Sequence, residues 1–81
     1  MQKHKIQYHA TGRVEYNHTG KGVSSYFYLD VLGSNLQEAR KNGLQAAQIL
    51  AKEYLLEDAR KKFKNPNLQI YDIQMTIYEV K

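Results

Sequence analysis

The chain has 81 residues, with 12 Lys or Arg against 8 Asp or Glu and no cysteine, and its sequence pI is about 9.4. A chain of this length predicts a single domain, 1–81, whose core is small in relation to its surface. The lack of cysteine excludes disulfides, thiolate nucleophiles and cysteine-bound zinc or iron–sulfur centres. No apolar run approaches the roughly 20 residues of a membrane span, and the first residues do not resemble a signal peptide, so we expect a cytoplasmic protein without membrane contact.

The first predicted element is a strand from Lys5 to Asn17. Apolar and polar residues alternate along it, which is typical of a strand with one buried face. The apolar side carries Ile6, Tyr8, Ala10, Val14 and Tyr16. Gly12 lies on the same side, where it predicts either a close approach by the small helix residues Gly43, Ala46 and Ala47 or a β-bulge.

Residues 18–22, HTGKG, predict a hairpin turn, and a second strand follows from Val23 to Leu32. The turn has the composition of a phosphate-binding loop, but the nucleotide motif joins a strand to a helix and this segment joins two strands. We therefore expect a turn and no nucleotide site. The second strand also alternates, with Val23, Phe27, Leu29 and Val31 inward and Ser24, Tyr26, Tyr28 and Asp30 outward.

A long helix is predicted from Asn35 to Lys64, because this stretch contains helix-forming residue types and no proline. Ser34 and Asn35 are both N-cap types, and each has a Gln or Glu three residues later. The segment Asn65-Pro66-Asn67 marks the end of the helix, since proline cannot continue its hydrogen bonds. One face is apolar at helical spacing and is expected to cover the sheet: Leu36, Ala39, Gly43, Leu44, Ala47, Leu50, Ala51 and Tyr54.

The apolar side of this helix changes near residue 55. Ile49, Leu56 and Phe63 recur every seven residues on nearly the opposite side, whereas the sheet-facing side would continue into Asp58 and Lys61. Either the helix breaks there, or its second half packs against something other than its own sheet. Because no helix-breaking residue lies between 44 and 64, we expect one continuous helix. An outward stripe of Ile49, Leu56 and Phe63 then predicts a homodimer interface.

The third strand is predicted from Leu68 to Val80, with a change of phase that indicates a bulge near Tyr71 and Asp72. The element order is therefore strand, strand, helix, strand. This order predicts a two-layer α+β domain, β-β-α-β, with a three-stranded sheet of order 2-1-3 and one long helix covering one face. The alternative places the third strand beside the second and parallel to it.

The sheet face that the helix leaves open is the first place to look for function. It is expected to carry cations and aromatic rings together: Lys5, His9, Arg13, Tyr26, Tyr28 and Tyr78. Bases stack on aromatic rings while cations contact phosphates, so this mixture predicts binding of single-stranded nucleic acid. At the helix C-terminus, Arg60 and Lys64 lack an acidic residue four positions earlier and are further candidates for phosphate contact.

The same face also suits a second class of function. Tyr and Arg are common anchors at protein interfaces, so the alternative function is a protein-interaction module, an adaptor or inhibitor, that uses this face or the Ile49/Leu56/Phe63 stripe. Tyrosines also pair across any solvent-facing sheet, or become buried against another sheet, without a ligand. The net charge of +4 favours single-stranded nucleic acid or an acidic protein as the partner.

We predict no catalytic, cofactor or metal site. His4 and His9 fall on opposite faces of the first strand and His18 lies in the turn, so a shared metal site is not expected. His9 has no nucleophile that the sequence places beside it, and Glu15 and Asp30 could approach it only on a flat, open face. The chain is therefore predicted to be a small binding protein and not an enzyme.

Overall fold

A three-stranded sheet and a long helix form the two layers of the fold in the computed structural model, which describes residues 4–17 and 23–80. The elements, in chain order, are β1 (Ile6–Tyr16), β2 (Ser24–Gly33), α1 (Leu36–Leu50), a π-helical turn (Ala51–Leu55), α2 (Leu56–Lys62) and β3 (Ile70–Glu79). The predicted β-β-α-β order is confirmed. The predicted hairpin turn, residues 18–22, lies outside the described residues.

β1 is the central strand and pairs antiparallel with both neighbours, so the sheet order is β2-β1-β3. This confirms the predicted order and rules out a third strand parallel to β2. The predicted bulge is also found: Glu15 lies opposite Asp72 and Tyr16 opposite Ile70, which leaves Tyr71 as the additional residue of β3. The bulge accounts for the change of phase, because it lets the apolar residues on both sides of it face the helix.

The core lies between the helix and the inner face of β1 and β2. The side chains predicted to point inward from these strands are buried or half-buried, because alternation directs every second side chain toward the helix. The helix contributes small residues, each four or eight positions after the last: Ala39, Gly43, Ala47, Ala51 and Ala59. These small side chains let the helix backbone lie close to the sheet.

The helix is continuous from Leu36 to Lys62, as predicted, but it contains a π-helical turn over Ala51–Leu55. Within this turn the Leu56 N–H bonds to the Ala51 carbonyl, five residues back, where a regular α-helix reaches back four. The turn thereby takes up one additional residue, and the side chains that follow are shifted by one position around the helix. No helix in the described part of the chain is long and apolar enough to cross a membrane.

The shift overturns the predicted faces of the second half of the helix. Tyr54, expected in the core, is 65% exposed, and Ala59 takes a core position. Leu56 and Phe63, expected in an outward stripe with Ile49, are half-buried and pack against the chain's own core, while Ile49 is exposed. The three residues therefore do not form one outward surface, and the predicted stripe is wrong. The homodimer itself stays a prediction.

Gly12 lies at a close contact between strands. A Cβ atom at this position would overlap the Gln74 carbonyl oxygen on β3 and would lie 2.7 Å from Cζ of Phe27. The predicted approach by small helix residues is wrong, since Ala46 is exposed and Gly43 faces side chains of β2 and β3. The strand register is regular at Gly12, so the alternative prediction, a bulge, is wrong as well. The glycine is required because neighbouring strand backbone and an aromatic ring fill the space that a Cβ would take.

Asn35 caps the N-terminus of α1. Its Oδ1 accepts a hydrogen bond from the Glu38 N–H at 2.8 Å, and the Glu38 carboxylate accepts one from the Ser34 N–H. Lys5 adds an ion pair, with its Nζ 3.3 Å from Glu38 Oε2. The hydrogen bonds from Ser34, followed by the contact with Lys5, lower the pKa of Glu38 to about 2. The predicted capping box is thus present in a modified form, in which the glutamate reaches one residue further back.

A Schellman arrangement ends the helix. The Asn65 N–H bonds to the Arg60 carbonyl at 2.9 Å and the Lys64 N–H to the Lys61 carbonyl at 3.3 Å. Lys64 has a φ of 54°, in the left-handed region that favours glycine. The chain then returns to the core at Leu68, which is fully buried.

The helix covers β3 less than it covers β1 and β2. None of the ten residues of β3 is buried, and its apolar helix-side residues are half-exposed: Ile70, Ile73, Met75 and Ile77. A groove of about 490 Å³ separates the helix from β3 and is lined by Leu44, Gln48, Lys52 and residues 70–73. Partly covered apolar surface therefore follows the length of β3.

Candidate functional site

The outer face of the sheet, which points away from the helix, gathers most of the residues predicted to bind a partner. The odd-numbered side chains of β1 point to this face, and the strand register places even-numbered residues of β2 and β3 on either side of them. Three rows cross the sheet: Asp30–His9–Tyr78, Tyr28–Thr11–Thr76 and Tyr26–Arg13–Gln74. The outer face therefore combines one histidine, one arginine and three tyrosines within three rows.

His9 is the centre of a hydrogen-bonded cluster on this face. Its Nδ1 lies 2.8 Å from Asp30 Oδ1 and 2.5 Å from the Tyr28 hydroxyl. Its ring centroid is 5.0 Å from that of Tyr28 and 5.8 Å from that of Tyr78. Since a carboxylate can only accept, the contact with Asp30 requires the hydrogen on Nδ1, and the Tyr28 oxygen, which contacts the same nitrogen, accepts a share of that N–H. The cluster thus fixes the ring and holds two tyrosines beside it.

The tyrosines of the outer face are well exposed, and two of them, Tyr28 and Tyr78, are also held beside His9. Tyr26 is 77% exposed, Tyr28 56% and Tyr78 46%. Desolvation, with Asp30 and Tyr78 adding to it, raises the pKa of Tyr28, so its hydroxyl stays protonated at neutral pH. Leu32, which is exposed to a similar degree, extends the apolar surface and was missed from the sequence. The alternation of β2 could have identified it, because Leu32 comes two residues after the outward-facing Asp30.

Arg13 lies at the middle of the outer face. Its Nε is 3.4 Å from Glu15 Oε1, and its register neighbours are Tyr26 and Gln74. A shallow depression of about 690 Å³ surrounds it, lined by Thr11, Gly12, Arg13, Tyr26, Phe27, Gln74, Met75 and Thr76. The depression opens on the outer face, because most of its lining belongs to the rows of that face: Thr11, Arg13, Tyr26, Gln74 and Thr76. A flat ring or a short side chain of a partner could occupy it.

Three predicted binding residues lie apart from this cluster. The ammonium of Lys5 contacts Glu38 at the start of the helix. Arg60 donates from Nε to the Leu68 carbonyl oxygen at 3.0 Å and lies 3.9 Å from Glu57 through Nη1. It has no acidic residue four positions earlier, as the sequence showed, but it is engaged by these two groups and is less available to a phosphate. Lys64 is exposed beside Arg60 in a depression of about 370 Å³ at the end of the helix.

The charges of the molecule are divided between its two sides. Among the described residues of the outer face, Arg13 is accompanied by the carboxylates of Glu15, Asp30 and Asp72. Most of the exposed cations among the described residues lie on the helix and its C-terminal turn: Arg40, Lys41, Lys52, Lys61, Lys62 and Lys64. Although the net charge of the whole chain is positive, the described residues of the outer face therefore include more acidic than basic groups.

Comparison of the chain with protein-family models, with curated proteins and with solved structures finds no significant match. Within residues 4–17 and 23–80, no three His, Asp or Glu side chains come together as the ligands of a metal ion would. The function has to be inferred from the outer face itself.

Proposed function

We propose that the chain is a small non-catalytic module that binds another protein through the outer face of its sheet. The observation that carries this proposal is the set of three large, exposed rings, Tyr26, Tyr28 and Tyr78, on one hydrogen-bonded sheet. A tyrosine provides a large contact area with only two side-chain torsions to order, and it is enriched among the residues that dominate binding energy. A rigid surface of this kind suits protein recognition.

The packing around His9 supports the proposal, because it arranges the rings before a partner arrives. The imidazole contacts Tyr28 through a hydrogen bond and through its ring, and it meets Tyr78 edge-on. Side chains that are already ordered lose less conformational entropy when they bind. The cluster around His9 therefore lowers the entropic cost of using these rings as anchors.

The charges of the outer face favour a basic protein partner over a nucleic acid. Glu15, Asp30 and Asp72 repel phosphate groups, and Arg13 already has a carboxylate beside it. The sequence favoured an acidic partner because the whole chain is positive, but most of the exposed cations among the described residues lie on the helix and its C-terminal turn. We expect a partner that places Lys or Arg near these carboxylates and an apolar group against the tyrosines.

Single-stranded nucleic acid, the first prediction from the sequence, is the second candidate. Arg13 beside the exposed ring of Tyr26 supports it, since a base can stack on the ring while the guanidinium contacts a phosphate. Lys5 and Arg60 contribute less than expected, because both already contact other groups of the chain. This candidate therefore depends on few cations.

Binding also accounts for the His9–Asp30 pair better than catalysis does. A histidine held by a carboxylate is a common part of catalytic sites, but such sites exclude water around the reacting atoms. His9 lies on an open sheet surface beside a shallow depression. We therefore assign the pair a positioning role for Tyr28.

Fluorescence anisotropy with labelled single-stranded oligonucleotides tests the second candidate directly. If nucleic acid is the ligand, the wild-type chain binds at low salt, and its affinity falls with a log–log slope of roughly −0.7 per phosphate contacted. We expect no such binding. Salt-dependent binding that is lost in Arg13→Ala would overturn the preference for a protein.

Capture of partner proteins from the native host, followed by titration of the captured protein, tests the main proposal. We expect Tyr26→Ser to weaken the complex about 30-fold, the effect of losing a contact worth roughly 2 kcal/mol. Tyr54→Ser is the matched control, because Tyr54 is similarly exposed but lies on the helix. Equal affinity of both variants for the partner contradicts the assignment of the outer face.

Self-association and a cytoplasmic location complete the proposal. A core of this size is marginal, and association with a second copy is a common way to bury more apolar surface. Ile49 is exposed on the helix, whereas Leu56 and Phe63 are committed to the core, so a dimer needs another surface. The cytoplasmic location rests on the sequence alone.

A further inference from the structure

β3 is an edge strand whose free backbone groups follow from the register. In a strand, the N–H and C=O groups of successive residues point to opposite sides. The Val80 N–H bonds to the Gln7 carbonyl on β1 at 3.0 Å, so the even-numbered residues at this end of β3 direct their backbone groups toward β1. Ile73, Met75 and Ile77 therefore direct theirs to the open edge of the sheet.

From Ile73 to Tyr78, the open edge of β3 lacks the charges, prolines and bulges that usually protect an edge strand. Its sequence, IYDIQMTIYE, contains no Pro, Lys or Arg. Its bulge lies at Tyr71, near the beginning of the strand, and leaves the remaining residues in regular register. The other edge differs, because at the end of β2 the Asn42 side chain donates to the Leu32 carbonyl at 2.9 Å. Of the two edges, β3 is thus the more open to pairing.

The same strand leaves apolar surface exposed on the helix side. Ile73, Met75 and Ile77 are half-exposed there, and a groove beside Ile73 leads to Leu44. An additional strand at this edge would pair the free backbone groups and cover these side chains at the same time. Both changes are favourable, since apolar burial stabilises association and free backbone groups need partners.

We propose that β3 pairs antiparallel with β3 of a second copy of this chain, about a two-fold axis at Met75. Residues that direct their backbone groups to the edge must face each other, so odd-numbered residues pair with odd-numbered ones. An axis at Met75 keeps nearly the whole strand paired, whereas an axis at Ile73 or Ile77 leaves one end of β3 without a partner. The register is therefore set by the strand itself.

This register is self-complementary in charge and in polarity. On the helix side, Ile73 of one copy faces Ile77 of the other, and the two Met75 side chains meet at the axis. On the outer face, Gln74 faces Thr76, and Asp72 faces Tyr78, whose hydroxyl can donate to the carboxylate. No two like charges lie opposite each other, as stable cross-strand pairs require. A second copy can therefore pair the free backbone groups of β3 and cover its apolar side chains, and no other partner is needed.

The resulting assembly has a continuous six-stranded sheet with both helices on one side. The outer faces of the two copies join into a single surface, on which Tyr26 and Tyr28 of β2 remain free while Tyr78 of β3 lies at the junction. The pairing does not depend on the proposed binding of another protein, because Tyr26 and Tyr28 lie on β2, away from the edge of β3. Tyr26→Ser is therefore expected to leave the dimer intact.

Sedimentation velocity combined with amide hydrogen exchange tests the pairing in the wild-type chain. We expect a species of twice the 9.4 kDa chain mass at tens of micromolar. The amides of Ile73, Met75 and Ile77 should then exchange at least tenfold more slowly than those of Tyr26 and Tyr28. These two β2 amides are the internal control, because the same alternation directs them to the open edge of β2.

A cysteine cross-link tests the two-fold axis. The chain has no cysteine of its own, so Met75→Cys introduces a single thiol per copy, opposite itself in the paired strands. Cα atoms of a hydrogen-bonded antiparallel pair are about 5.5 Å apart, within the range of a disulfide. Mild oxidation should link Met75→Cys into a covalent dimer at least tenfold faster than Tyr28→Cys, the matched variant on the β2 edge.

Two kinds of result contradict the pairing of β3 with a second copy. A wild-type monomer with rapidly exchanging β3 amides overturns the proposal, as does equal or absent cross-linking of Met75→Cys. A dimer in which these amides exchange as fast as those on the β2 edge places self-association elsewhere and equally overturns the assignment to β3.

Discussion

On the helix-facing side of the sheet, β3 differs from β1 and β2 in the burial of its apolar side chains. Tyr8, Val14 and Val31 are almost completely buried, whereas Ile73 and Ile77 are half-exposed although isoleucine is at least as apolar. Burial here follows from position in the sheet, because β1 is the central strand and the helix packs more closely on β2 than on β3. The contrast shows that β3 is held mainly by backbone pairing with β1. Because its apolar side chains are only partly buried, they stabilise the fold less than fully buried side chains of the same type would.

The largest expected loss of stability comes from a substitution that disturbs the pairing of β3 with β1. Gly12→Ala places a Cβ against the Gln74 backbone and the Phe27 ring, and strand backbone cannot move away without losing its hydrogen bonds. We expect a loss of at least about 3 kcal/mol in the free energy of unfolding, enough to unfold a small domain. Urea denaturation followed by circular dichroism measures the change.

Gly43→Ala is the matched control for this substitution. A Cβ at Gly43 meets Met75 and Val31 side chains at 3.4 Å, an ordinary contact. Because glycine inside a helix is unfavourable, this variant should gain about 0.5–1 kcal/mol. A destabilisation of Gly43→Ala as large as that of Gly12→Ala would show that the helix, and not the strand contact, limits the fold.

The next prediction compares the loss of stability on truncating two neighbouring residues, one on β1 and one on β3. Val14 and Ile73 lie opposite each other in the β1–β3 register, but Val14 is fully buried and Ile73 is not. Val14→Ala should therefore cost about 2 kcal/mol and Ile73→Ala about 1 kcal/mol, although isoleucine loses more atoms. Thermal unfolding at low protein concentration measures both. Equal costs would remove the contrast between the strands.

A smaller change in stability, this time a gain, is expected at the C-terminal end of the helix. Lys64 adopts a left-handed conformation that glycine adopts without steric cost. Lys64→Gly should raise the free energy of unfolding by about 0.5–1 kcal/mol, while Lys64→Ala should not. Chemical denaturation of the two variants distinguishes backbone strain from loss of the lysine charge, which both variants share.

The smallest effect concerns pH at the other end of the helix. The pKa of Glu38 is lowered to about 2 in the folded chain, from an ordinary value near 4.5. The folded state therefore gains from this carboxylate above pH 4.5, and the gain is lost as the pH falls from there toward 2. Wild type should lose more stability over this interval than Glu38→Gln. Parallel acid dependence of both proteins would contradict the assigned role of Glu38.

Alternation and cap residues made the architecture predictable from the sequence. The regular alternation of β1 identified the central strand, and the change of phase in β3 located the bulge at Tyr71. The tyrosine face followed from the same period of two, because sheet geometry leaves little freedom in which side a residue faces.

The parts that the sequence did not predict depend on distant contacts or on backbone geometry. Helical spacing rules do not reach the contact of Lys5 with Glu38 or that of Arg60 with the Leu68 carbonyl, although they do reach the pair of Arg60 with Glu57. The π-helical turn has no residue signature, since AKEYL consists of ordinary helix formers. Assuming a regular helix through this segment therefore placed Tyr54 in the core.

The π-helical turn also determines where the chain can change in length. Because the turn takes up one residue more than an α-helical turn, removing a residue within Ala51–Leu55 leaves the flanking side chains on their original faces. We expect a chain that lacks the exposed Glu53 to fold with the same core. Removing the equally exposed Gln45 from α1 has no such compensation and rotates Ala47 and Ala51 away from the sheet. Natural variants that are one residue shorter are therefore expected to have lost it at this turn.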